Sequence, residues 1–262
     1  MTTTTYPKDF NTQSTTGPFT PPRPRRSMLD SPAFAWQAAA DRLTEWIERR
    51  MVVHPDVYGS YDPPFTIRRH FRHEWQTHTI WLRPVSPQGT SEWFVGTVNH
   101  HCDDARQKAV VNWQAASGWY EELQRRGFKP LMLDSNGGED IELLVLLTEE
   151  IPASRVMEFV RRLVSDYAAR GLAQAPEFMP NQADIAGDYS RKGWRVFGQD
   201  ESYRYCTRVW NGERWLEREE AIEAILARTG DSPDLIPNFS DCVASCSRSR
   251  RNGVEGHQSF IT

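Results

Sequence analysis

Residues 141–147, Ile-Glu-Leu-Leu-Val-Leu-Leu, constrain the fold of this chain more than any other stretch. A run this short and this apolar reads as a strand covered on both faces, and so central to its sheet. Ser135-Asn136-Gly137-Gly138 just before it is a strong turn signal, so residues 128–133 are read as a preceding strand. Residues 93–98 read as another buried strand. The helices around these strands have clear stripes. Residues 109–126 set Val110, Trp113, Tyr120 and Leu123 on one face, and Gly127 follows the end. Ser154 is expected to cap a helix carrying Val156, Phe159, Val160, Leu163, Val164 and Tyr167, ended by Gly171.

Upstream, Ser31-Pro32 reads as an N-cap followed by proline at the first helical position. Trp36, Ala39, Ala40, Leu43, Trp46, Ile47 and Met51 then recur at helical spacing. Residues 53–89 are proline-interrupted and irregular, with a short strand expected at 79–83. Downstream, a short strand is expected at 195–197. An Asn-Gly hairpin fits Trp210-Asn211-Gly212 before Trp215, and a last helix covers 217–227. The order of elements predicts an α+β fold with one main sheet. Residues 30–237 are expected to form one folded unit, with a disordered Thr/Pro-rich leader at 1–29 and a flexible Ser/Arg-rich tail at 238–262.

Charge and cysteine usage narrow the function classes. The 31 Lys+Arg and 35 Asp+Glu residues leave a net charge of −4, so any nucleic-acid surface must be local. The leader holds Lys8, Arg23, Arg25 and Arg26 against Asp9, a weak phosphate-attracting arm or a solvated tail. No run of eighteen apolar residues occurs, which excludes a helical membrane span. The polar start of the chain and the four scattered cysteines lead to an expected cytoplasmic location. Cys242 and Cys246 make half a zinc site at best, and Cys102 and Cys206 lack metal-ligand spacing. His54, His70, His73 and His78 match no common metal site and are expected at the surface. Most of the ten Trp are expected as core anchors.

Three stretches carry a family resemblance: GFKPLMLDSNGGEDIELLVLLTEEIP at 127–152, EFMPNQ at 177–182 and RVWNGERWLEREEAIEAIL at 208–226. Together, in this order, they resemble the archaeo-eukaryotic primase-polymerase superfamily, in its bacterial branch of TOTE conflict-system-type primase domains. The resemblance spans residues 34–237. It implies a primase-polymerase-like, RRM-like central sheet flanked by helices. It also implies a site where Mg²⁺ or Mn²⁺ joins nucleotides, with two ions ~4 Å apart held by carboxylates.

At the positions that do this chemistry in the family, this chain differs. The Asp-hydrophobic-Asp metal motif falls on Thr97-Val98-Asn99, with His101 retained after it. The phosphate-contacting histidine falls on Glu142. The third acid is present as Glu177, ahead of Pro180-Asn181-Gln182. The later Arg-containing stretch survives as Arg195-Val196-Phe197-Gly198, and a His-His pair falls on Asp200-Glu201. The catalytic positions are thus Glu177, retained, and Thr97, Asn99 and Glu142, altered. Metal ligation would rest on Glu177 alone. The resemblance assigns nucleotide or nucleic-acid contact to Asn136, Asn181, Gln182 and Arg195, although Asn136 also suits a turn and Arg195 a salt bridge.

The expectation is an inactivated primase-polymerase-like domain, with no Mg²⁺ or Mn²⁺ bound, that keeps single-stranded DNA or RNA, a nucleotide, or a helicase or nuclease as partner. Two alternatives stay open. One is an active nucleotidyltransferase with a site rebuilt from Glu142, Glu177, Asp200 and Glu201. The other is a protein-interaction scaffold. Trp210 and Trp215 are read as hairpin core, and His100 and His101 as surface residues at a strand end.

Overall fold

A computed structural model describes residues 32–53, 67–72, 80–100, 104–135, 140–181, 193–198 and 205–239. The elements in chain order are α1 (Pro32–Ala38), α2 (Ala40–Arg50), α3 (Ile67–Arg72), β1 (Trp81–Leu82), β2 (Thr90–Val98), α4 (Ala105–Arg125), β3 (Leu131–Asp134), β4 (Ile141–Pro152), α5 (Ala153–Leu163), β5 (Glu177–Met179), β6 (Trp194–Arg195), β7 (Arg208–Trp210), β8 (Trp215–Leu216) and α6 (Arg218–Leu226). The fold is α+β. Its six-stranded antiparallel sheet runs β5-β2-β4-β3-β7-β8, so the apolar run on β4 does sit inside the sheet.

Period-two alternation sorts each strand's side chains between two cores. On one face, Phe94, Val98, Met132, Ile141, Leu143 and Val145 pack under α4 and α5. On the other, Trp93, Val95, Leu131, Leu133, Leu144 and Leu146 pack against α1, α2, α3 and α6. β4 serves both cores at once, which is why alternation is absent from its sequence. The α5 stripe buries Val156, Phe159, Val160 and Leu163. Its outer face carries Glu158 paired with Arg161 and Arg162. Gly127 takes φ +94° after α4, a left-handed turn that L side chains resist, and Phe128 N–H then bonds back to Leu123 O. No helix among the described residues is long and apolar enough to cross a membrane.

Several elements differ from expectation. The first helix is two segments, divided at Ala39, with one apolar stripe running through both. α4 starts at Ala105 because Asp104 caps it, accepting from the Arg106 and Gln107 backbone N–H groups. α5 begins at Ala153 after Pro152, so Ser154 lies inside the helix rather than at its cap. α3 and β5 are additional. Both are too short to show a period; α3 is held by burial of Ile67 and Phe71, and β5 by pairing with β2. The strand expected at 195–197 is β6, and it pairs with β1 in a separate two-stranded sheet. The β7–β8 loop spans residues 211–214, closed by Asn211 Oδ1 accepting from Glu213 N–H and Arg214 N–H, instead of a two-residue turn. Ser31, Asn136, Gln182, Asp200, Glu201, His54, His73, His78, His101, Cys102, Cys242 and Cys246 lie outside the described residues.

Phe159 is fully buried, with its ring 5.8 Å from Phe94 and 5.4 Å from Phe128. Phe159→Ala is expected to cost about 3–5 kcal/mol in chemical denaturation. A loss under about 1 kcal/mol would contradict this account of the α5 core.

Candidate functional site

The sheet register brings three residues from distant parts of the chain into one row. Glu177 on β5 opposes Thr97 on β2, and Thr97 opposes Glu142 on β4. The row continues to Leu133 on β3 and Val209 on β7. Directly opposed residues share a sheet face, with Cβ atoms about 5 Å apart. This face is the one away from α4 and α5, since its neighbours Val95, Leu131 and Leu144 belong to the opposite core. The row runs from core to solvent: Val209 and Leu133 are buried, Glu142 and Thr97 half-buried, and Glu177 exposed.

Glu142 is the only charged side chain in the 141–147 run. Both its oxygens are held. Trp194 Nε1–H donates to Oε1 at 2.9 Å, and Ser135 Oγ–H donates to Oε2 at 2.9 Å. Removal from water pushes its carboxyl up to about 7, against the pull of these two donors and of the nearby Arg195 guanidinium; Asp140 adds to the rise. Trp194 and Arg195 are both on β6, so Glu142 ties the second sheet to the first.

The other expected site residues are spread around this row. Asn99 lies just past β2, and its Oδ1 is buried without a hydrogen-bond partner among the described residues. Arg195 is half-buried and coupled to Glu142 by charge. Asn181 is exposed, beyond β5 and Pro180. Glu177 opens strand β5. The surface reading of His100 is corrected. It is half-buried, its Nδ1 is enclosed without a partner among the described residues, and its backbone N–H donates to Asn112 Oδ1 at 2.7 Å. His70 is half-buried as well, with Nε2 3.0 Å from Phe197 O.

Trp210 and Trp215 do pack inward, against Trp113 of α4 at 4.8 and 5.7 Å. Beside them Arg208 lies over Trp215 and donates through Nε to Asp134, whose side chain is fully buried. That cluster is on the opposite face from the row, under α4, so it is a structural seam for the hairpin.

Sequence patterns alone pass over the partners of Glu142. Ser135 is legible as part of a turn and Trp194 as an apolar anchor; each also carries a donor that a buried carboxyl needs. Among the described residues the donor set does not suit a pair of divalent cations. Thr97 and Asn99 are neutral, Glu142 has both oxygens engaged and its carboxyl lifted toward neutrality, and Glu177 alone faces solvent. Hard cations need several anionic oxygens.

The raised Glu142 carboxyl has a definite sign in stability. Its folded value is about 7 against 4.5 unperturbed, so between those pH values the native state holds a proton that the unfolded state releases. Stability from this group therefore falls as pH rises through that window and stays lowered above it. Glu142→Gln is expected to raise stability at pH 8 by about 1–3 kcal/mol relative to wild type and to leave pH 4 nearly unchanged. A difference between the two proteins that is flat with pH would contradict this. Comparison with known proteins adds no further constraint, since no family model matches this chain and no curated protein matches it.

Proposed function

We propose that this chain is a primase-polymerase-like domain that no longer joins nucleotides and instead binds single-stranded nucleic acid. The observation that carries this reading is the row Glu177–Thr97–Glu142. Three positions singled out by the family resemblance, far apart in sequence, are neighbours on adjacent strands. The connectivity supports it: β2-α4-β3-β4-α5-β5 in the order β5-β2-β4-β3 is a split βαβ arrangement of the RRM-like kind. The row lies on the sheet face away from the two crossover helices; α1, α2, α3 and α6 pack over the Leu133 and Val209 end of that face, and its Glu177 end is exposed.

The loss of catalysis follows from charge. Nucleotidyl transfer of this type needs carboxylates to clamp two ions across the attacking and leaving oxygens. Thr97 and Asn99 remove two of them, and Glu142 stands where a phosphate-contacting cation would be needed. What persists is a polar row, half-buried at Thr97 and Glu142, with Arg195 beside Glu142. The reading extends to a role in the reducing cytoplasm beside a helicase or nuclease.

Primer extension with Mn²⁺ tests this, run beside a Thr97→Asp/Asn99→Asp/Glu142→His variant, together with gel shifts of a single-stranded oligonucleotide at rising salt. The expected result is no extension by the natural chain and a shift that weakens with salt. Extension by the natural chain overturns the proposal in favour of a rebuilt metal site. A chain that neither extends nor shifts overturns it in favour of a scaffold.

A further inference from the structure

The two-stranded sheet holds an exposed aromatic side chain opposite a cation. β1 and β6 are antiparallel, with Trp81 opposite Arg195 and Leu82 opposite Trp194. Leu82 and Trp194 are buried, so the alternation of strand side chains puts Trp81 and Arg195 together on the outer side. Trp81 is 46% exposed, while Trp36, Trp46, Trp93, Trp119 and Trp194 are all buried. Arg195 forms no ion pair among the described residues, and its charge reaches Glu142. This small sheet therefore connects the Glu142 row to a solvent-facing indole.

The backbone beneath Trp81 is tightly set. A Cβ on Gly193 would come within 2.9 Å of Trp81 Cβ and 3.0 Å of Leu82 O, so glycine is what allows β6 to approach β1 this closely. The indole is thus carried on a paired strand.

We infer that Trp81 is a stacking platform for one base of a single strand, and that Arg195 takes the adjoining phosphate. This rests on the nucleic-acid-binding reading above and adds its contact points. Opposed strand residues have Cβ atoms about 5 Å apart, and an indole and a guanidinium at that spacing suit a base and its own phosphate. Every base offers a π-face, so the contact tolerates sequence, but it needs the base unstacked and so prefers a single strand to a duplex.

The test uses the full chain and a labelled oligothymidylate of roughly 12 nucleotides, with its duplex as a comparison. Fluorescence anisotropy is expected to show Trp81→Ala weakening binding about tenfold and Trp81→Phe by much less. Arg195→Ala is expected to reduce the slope of log affinity against log salt by about one phosphate's worth. Photo-crosslinking with 5-iodouracil in the same strand, read by peptide mass spectrometry, is expected to mark Trp81. Thermal melting checks that each variant is folded; Trp81 is 46% exposed and belongs to neither core cluster, so its removal leaves the core intact. If the wild type binds the strand but Trp81→Ala binds equally well and no crosslink maps to Trp81, this inference fails and the nucleic-acid reading stands. If the wild type does not bind the strand at all, both fail.

Discussion

The carboxyl of Glu142 is the interaction on which the candidate face depends. One oxygen is held by the indole N–H of Trp194 and the other by the hydroxyl of Ser135. These bonds join β4 at the middle of the main sheet to the end of β3 and to β6 of the small sheet. A carboxyl at such a place is expensive to ionise, and its two donors only partly offset the loss of water. The side chain therefore holds its proton to far higher pH than a free carboxyl and acts as a doubly bonded tether rather than as a free anion.

That tether decides what the neighbouring groups can do. Thr97 is its opposed neighbour on β2 and brings a hydroxyl, not a charge. Glu177 is one strand further out and open to water. Among the described residues, an ion arriving here would meet one solvated carboxylate and one committed carboxyl, fewer hard oxygens than divalent cations take. In the proposed reading a polyanionic strand would meet a different surface: the guanidinium of Arg195 and, across from it, the indole of Trp81. The local positive charge matters because the chain as a whole is net negative.

Much of the architecture is legible in residue type and spacing alone. The run at 141–147, the stripe through Val156 and Leu163, and the turn glycine after α4 each state their surroundings locally. The α+β class follows from their order. Elements whose stability is tertiary leave no such trace. α3 has six residues and is fixed by Phe71 stacking on Trp36; β5 has three and is fixed by the edge of β2. The same limit applies to the site. Thr97, Glu142 and Glu177 are individually visible, but their adjacency depends on strand register, which no local pattern encodes. Trp194 reads only as an apolar anchor, because the proton it donates matters only once a carboxyl lies beside it. Trp81 reads as one more core aromatic, and only its alternation with Leu82 on a paired strand turns it outward.

The central proposal is that this sheet face, as its described residues form it, lacks the charge to hold catalytic ions. Electron paramagnetic resonance of Mn²⁺ titrated into the full chain at neutral pH tests it most directly, by counting ions taken up from solution. The account predicts no saturable uptake at sub-millimolar metal, and no change in that result for Thr97→Ala. Two tightly bound ions per chain, lost together in Glu142→Gln, would contradict it.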